Sequence, residues 1–167
     1  MLHIQRISSL FRKIIIQINL IKMKASYVEH IGIAVENLED SIKYYEEVLG
    51  LECYAVEEVK DQQVKTAFFQ VGETKIELLE STNPDGPIGK FIQKRGAGLH
   101  HIAFAVNDVD NALRCVEGRG VKLIDKKSRK GAEGFEIGFL HPKSTGGVLT
   151  EFCSHWKIKL KEIVFPC

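Results

Sequence analysis

The stretch HIGIAVENLEDSIKYYEEVLG, His30 to Gly50, returns 71 residues later as HIAFAVNDVDNALRCVEGRG, His101 to Gly120. Superposing the copies pairs His30 with His101, Ala34 with Ala105 and Val35 with Val106. A helix-start residue stands at the same offset in each, Asn37 in one and Asp108 in the other. A recurrence of this length means one supersecondary unit used twice. Each copy then reaches a carboxylate inside an apolar run, Glu77 in KIELLE and Glu151 in VLTEF. Two histidines and two glutamates therefore stand at matched positions, the set a pseudo-symmetric metal site would need.

The first unit reads β-α-β-β-β. Val28 to Val35 predicts a strand, and Asn37 caps a helix with Leu38, Ile42, Tyr45 and Leu49 on its apolar face, stopped by Gly50. Strands are predicted over 52–59, 63–71 and 74–80, with Gly72-Glu73 as the last turn. The second unit repeats the order: a strand from Leu99 to Val106, a helix from Asp108 to Gly118 or Gly120, then strands near 121–126, 135–140 and 147–153. Between them Pro87 opens a short helix bearing Ile88, Phe91 and Ile92 on one face, with Gly96 after it. The class is α+β, and the expected organisation is a leader at 1–26, one domain at 27–156 and a tail at 157–167. Within the domain, repeat one spans 27–82, the connector 83–98 and repeat two 99–156.

Strand alternation assigns faces. His30 lies with Gly32 and Ala34 while Ile31, Ile33 and Val35 take the other side; His101 lies with Ala103 and Ala105, opposite Ile102, Phe104 and Val106. The bulky residues are expected to pack under the helices. A core face would want volume, so small residues beside each histidine suggest space left for a ligand. Glu77 and Glu151 point into the same side, where a carboxylate is costly unless paired or metal-bound. Any one of these four alone reads as an ordinary hydrogen-bonded or solvent-facing residue; it is their matched placement that favours a site. His100, out of phase by one, is read as structural, and His3, His141 and His155 lack the repeat's support.

A net charge of +1 gives no global field to recruit nucleic acid or acidic membrane. The first 27 residues carry Arg6, Arg12, Lys13, Lys22 and Lys24 without an acidic residue, but the apolar run Ile14 to Ile21 is far too short to span a bilayer. This segment reads as sequence upstream of a start at Met23, or as a tail, rather than as a targeting signal. Cys53, Cys115, Cys153 and Cys167 form no CxxC pair, which suits a reducing compartment. The cytoplasm is expected, or the mitochondrial matrix if 1–26 is a transit peptide.

VEHIGIAVENLEDSIKYYEEVLG, the KIELLE strand, PIGKFIQKRGAGLHHIAFAV and FLHPKSTGGVLTEF together resemble the vicinal oxygen chelate, or glyoxalase-like, superfamily from about Val28 to Cys153, and within it the methylmalonyl-CoA epimerases. The resemblance implies two tandem βαβββ units forming a half-open mixed-sheet cleft, a homodimer and an acyl-CoA substrate. It implies that His30, His101 and Glu151 are metal ligands, with Glu77 where the family has a Gln or Glu ligand. Mixed N/O donors suit Co, Mn, Ni, Fe or Zn, and the resemblance favours Co. Such an ion would chelate the thioester carbonyl and carboxylate of methylmalonyl-CoA while the C2 proton leaves, stabilising an enolate. Glu151 is the first candidate base, with Glu77 or a water near Thr66 on the opposite face. Thr66 stands where a family member has a Glu proposed as base, so that role does not carry over. A lactoylglutathione lyase of the glyoxalase I type would use a similar donor set, but HPKSTGGVLTE argues against it. A ring-cleaving dioxygenase would need a longer chain, and a non-catalytic binding protein of the same fold would lack the donors.

Overall fold

The computed structural model describes residues 23–155; residues 1–22 of the leader and residues 156–167, the tail among them, lie outside the described residues. Among the described residues eight strands form one sheet: β1 (Val28–Val35), β2 (Cys53–Val59), β3 (Val64–Val71), β4 (Thr74–Ser81), β5 (Gly98–Ala105), β6 (Arg129–Lys130), β7 (Phe135–Leu140) and β8 (Leu149–His155). Their order is β2-β3-β4-β1-β5-β8-β7-β6. β1 runs parallel to β4 and β5 parallel to β8, while β1 and β5 meet antiparallel. Read outward from the β1–β5 seam, each unit lays down its first strand, then its last, third and second. The seam is thus a pseudo-two-fold axis, and the sheet curls into a half-barrel of the vicinal oxygen chelate type.

Two helices cover the convex face. Asn37 caps α1 (Leu38–Lys43) by accepting from Asp40 N at 2.9 Å, and Asp108 caps α3 (Val109–Glu117) by accepting from Asn111 N at 2.7 Å. Leu38, Ile42 and Tyr45 pack on Val35, Ala67, Phe69 and Leu78, whereas Val109, Leu113 and Val116 pack on Val106, Leu140 and Phe152. The bulky strand faces do lie beneath the helices. α2 (Pro87–Arg95) instead covers one end of the concave side, setting Ile88, Phe91 and Ile92 against Ala34, Val64 and Leu79. No helix among the described residues is long and apolar enough to cross a membrane.

Two local expectations are corrected. The helix of repeat one changes to a π-turn over Tyr44–Val48, which adds a residue to the turn and rotates the residues after it. Leu49 is consequently exposed, and Leu51 takes its place against the core. Residues 121–126 form only one bridge, Leu123 to Leu140, and the short β6 lies further on. Side chains intercept the ladder there: the Asp125 carboxylate accepts Phe139 N at 3.0 Å, and Ser144 Oγ accepts Lys122 N at 3.0 Å.

Residues 23–26, the end of the segment read as a leader, already touch the domain. Ser26 N donates to Ala105 O at 2.9 Å and Met23 packs on the α3 cluster. A chain beginning at Met23 should unfold at the same temperature as the full chain. One beginning at Tyr27 should lose about 1–2 kcal/mol, a fall of roughly 3–6 °C in Tm by circular dichroism. Equal midpoints for both truncations would show that these contacts add nothing.

Candidate functional site

The seam sets the site. Gly32 lies opposite His101 on β5 and Glu77 on β4, while Ala103 lies opposite His30 on β1 and Glu151 on β8. Each of two small residues is therefore flanked by one histidine and one glutamate, and the four side chains converge above them. His30 Nε2 is 2.9 Å from His101 Nε2. Glu77 Oε2 stands 3.5 Å from both nitrogens, and the Glu151 oxygens stand 3.8 Å from His30 Nε2 and 3.6 Å from His101 Nε2. His101, Glu77 and Glu151 are buried. All four residues singled out in the sequence come together.

The small residues beside the histidines have a different reason from the one expected. A Cβ on Gly32 would collide with the His101 ring, Ala34 is covered by Ile88 and Leu79, and Ala103 by Phe135, Ile137 and Phe139. Their missing volume is filled by the protein itself. The space for a ligand lies above, in a cleft of about 410 Å³ lined by the four donors and by Thr66, Phe68, Ile88 and Phe139.

Sequence reasoning missed Glu29 and misplaced His100. Each is the extra residue of a β-bulge at the seam: β1 advances from Val28 to His30 while β5 moves one residue, and β5 advances from Leu99 to His101 while β1 moves one. The bulge suspends strict alternation, so both turn toward the histidine that comes next in the chain. His30 Nδ1 donates to Glu29 Oε2 at 2.6 Å, and His101 Nδ1 lies 2.9 Å from His100 Nδ1. With His30 charged, the order runs from His30 through Nε2–H to His101 Nε2, then through Nδ1–H to His100 Nδ1; with His30 neutral the last two links reverse. His100 is thus the hydrogen-bond partner of a candidate ligand. His141 accepts Lys143 N in a turn and His155 packs on Phe135, both apart from the four donors.

Electrostatics agree with that order. Burial would lower the pKa of His30, but the Glu29 hydrogen bond and the fields of Glu151 and Glu77 outweigh it and raise it to about 9. Burial pushes His101 well below its ordinary value, with the charge of His30 adding to the effect, and takes His100 to about 4. Burial also raises Glu77, and raises Glu151 to about 8 against the pull of His30.

The donor set fits a divalent ion. Glu151 Oε1 is buried without a hydrogen-bond partner, a cost that a cation would remove. Metal–nitrogen bonds of about 2.1 Å at a right angle set two nitrogens about 3.0 Å apart, close to the separation of the two Nε2 atoms. A proton between those nitrogens holds the place a metal would take. His30, Glu77 and His101 can offer one donor atom each within 4.8 Å of one another, and the Glu151 oxygens lie 3.8 and 3.6 Å from the two Nε2 atoms.

Residues 29–139 match the Glyoxalase/Bleomycin resistance protein/Dioxygenase superfamily. The chain belongs to this superfamily. Among superfamily members, the uncharacterized protein YqjC of Bacillus subtilis is 45% identical over 126 residues, 75% of this chain and 90% of that protein. The mitochondrial methylmalonyl-CoA epimerase of Mus musculus is 34% identical, covering 77% of this chain and 72% of its own. A variant of the Streptomyces coelicolor methylmalonyl-CoA epimerase, solved in complex with 2-nitronate-propionyl-CoA, superposes with a TM-score of 0.77 at 34% identity, over 80% of this chain and 97% of that one.

Gly32→Ala should displace the His101 ring and weaken Co²⁺ binding by about tenfold or more, read by chelator competition. Wild-type affinity in a folded variant would show that the ring has room. The pH dependence of stability is a second check. The raised pKa of His30 stabilises the metal-free fold below about pH 6.5 and is lost as pH rises through 9; that of Glu151 is lost between about 4.5 and 8. Metal-free Tm should therefore fall from pH 6.5 to 9, while the stabilisation by saturating Co²⁺ grows across the same window. A metal-induced Tm shift independent of pH would contradict the proton-for-metal exchange.

Proposed function

We propose that this chain is a metal-dependent epimerase interconverting (R)- and (S)-methylmalonyl-CoA, with His30, Glu77, His101 and Glu151 holding the ion. The observation that carries the reading is the buried oxygen of Glu151 that has no hydrogen bond, beside two imidazole nitrogens at the floor of an open cleft. The epimerase relatives and the acyl-CoA analogue bound by one of them supply the substrate class. A bound divalent ion, cobalt by family resemblance among Co, Mn, Ni, Fe and Zn, would supply Lewis-acid polarisation of the thioester carbonyl.

The chain's own residues account for the proton transfers. Glu151 is the candidate base, through an oxygen not committed to the ion; without metal, burial raises its carboxyl to about 8. Glu77, raised by the same cause, stands on the other side of the β1–β5 seam from Glu151. A C2 carbon held above the seam thus has one carboxylate on either side, the arrangement that inversion needs. Thr66 faces the cleft, buried, its hydroxyl donating to Glu57 O at 3.4 Å, and a hydroxyl does not titrate in this range. Phe68, Phe139 and Ile88 line the cleft with apolar surface, which strengthens each charge interaction.

The wider reading is a cytoplasmic homodimer with no nucleic-acid or membrane partner. Support for pairing comes from β2, an edge strand whose Tyr54 and Val56 are exposed.

Methylmalonyl-CoA incubated with the protein in D₂O should gain deuterium at C2 only, in product of inverted configuration, followed by mass spectrometry and chiral analysis. Glu151→Gln with metal retained should slow exchange by about 10²–10⁴-fold. Absence of exchange by the wild type would end the epimerase reading. Wild-type exchange by the metal-loaded variant would instead move the base to Glu77.

A further inference from the structure

The two free edges of the half-barrel meet across the cleft at Glu133, with Gln62 Nε2 donating to Lys130 O at 3.4 Å beside it. Glu133 lies in the turn between β6 and β7, in the left-handed region with φ of 51°, a conformation that costs a residue with a side chain. Its N–H donates to Glu57 Oε2 at 2.9 Å and its Oε1 accepts from Tyr54 at 3.0 Å, both on β2 at the opposite end of the sheet. Its other oxygen accepts from Lys75 Nζ. Lys75 also donates to Glu29 Oε1 at 2.7 Å, and Glu29 Oε2 receives the Nδ1–H of His30. An unbroken chain therefore runs from repeat two, across the cleft, to a candidate metal ligand of repeat one.

The duplicated fold does not require this chain. The position in repeat two that matches Lys75, two residues before the matched glutamate, is Leu149, and the match of Glu29 is His100. An apolar residue is thus acceptable at that place on the sheet. Lys75 and Glu29 are 8% and 6% exposed, and ion pairs buried to that extent seldom stabilise a fold more than apolar packing would. Stability alone does not explain the cluster. Glu29, Lys75 and Glu133 also form the wall between the metal cleft and a second cavity of about 580 Å³.

We infer that Lys75 and Glu133 are positioning residues for His30: the clasp between the sheet edges holds Glu29 against His30 Nδ1 and so aims Nε2 into the donor set. Shutting the half-barrel and completing the ligand set become one event. The inference rests on the metal-site reading above, but its first readout needs neither metal nor acyl-CoA.

In the metal-free full-length protein, the Nδ1–H of His30 is observed by NMR and its exchange with water measured; Co²⁺ affinity is then measured by chelator competition. Glu133→Ala should speed exchange at least tenfold and weaken Co²⁺ about tenfold, the scale of a lost hydrogen-bond partner to a ligand. Tyr54→Phe, which removes one hydroxyl from the clasp, should move both in the same direction by less. Lys43→Ala, which breaks an exposed ion pair remote from the cleft, should move neither. Wild-type exchange and affinity in a folded Glu133→Ala protein would overturn the inference. Should that variant fail to fold, wild-type values in Tyr54→Phe overturn it instead. If the wild type binds no Co²⁺, the metal reading fails while the ring-proton exchange still decides the positioning role.

Discussion

The antiparallel pairing of β1 with β5 is the constraint on which the rest depends. It puts Gly32 against His101 and Ala103 against His30, and the parallel strands outside it bring Glu77 and Glu151 to the same two residues. No single unit could assemble this set, since each supplies one histidine and one glutamate. The site therefore exists only when the two repeats are docked. Gly32 is the point of least tolerance, because the His101 ring occupies the volume any side chain would need.

Such a set is electrostatically expensive. Two carboxylates and three imidazoles sit in or beside a cleft floored by Phe68 and Phe139, and burial opposes charge on each of them. Of the three imidazoles, the metal-free protein charges one. His30 is the cation, held by Glu29 and faced by Glu77 and Glu151, while His101 and His100 stay neutral. One oxygen of Glu151 is still left without a hydrogen bond. A divalent ion in place of the shared proton would satisfy that oxygen and balance the carboxylates together, which is why the arrangement suits a metal better than a static hydrogen-bond network.

The two repeats have diverged in how they support their histidines. Both use a bulge to turn the preceding residue onto Nδ1, but repeat one presents an anion, Glu29, and repeat two a neutral ring, His100. The difference makes the two imidazoles electronically unequal within a symmetric frame. Glu29 is in turn held by Lys75, so the unequal half is also the one tied across the cleft.

The sequence by itself determined the duplication, the helix caps at Asn37 and Asp108, the face each strand buries and the four side chains that converge at the seam. All of these come from local periods and from offsets that a repeat doubles. It could not place Leu49, since a π-turn is set by how a helix end packs, or the path of 121–126, where Asp125 and Ser144 take ladder hydrogen bonds for their side chains. Tertiary structure alone decided the roles of Glu29 and His100, because a bulge is a property of the register between two strands and leaves no trace in the period of either. It alone brought Glu133 to Lys75, 58 residues away, by curling the sheet until its edges met. Local patterns encode which residues share a face, but which faces meet depends on how two units dock.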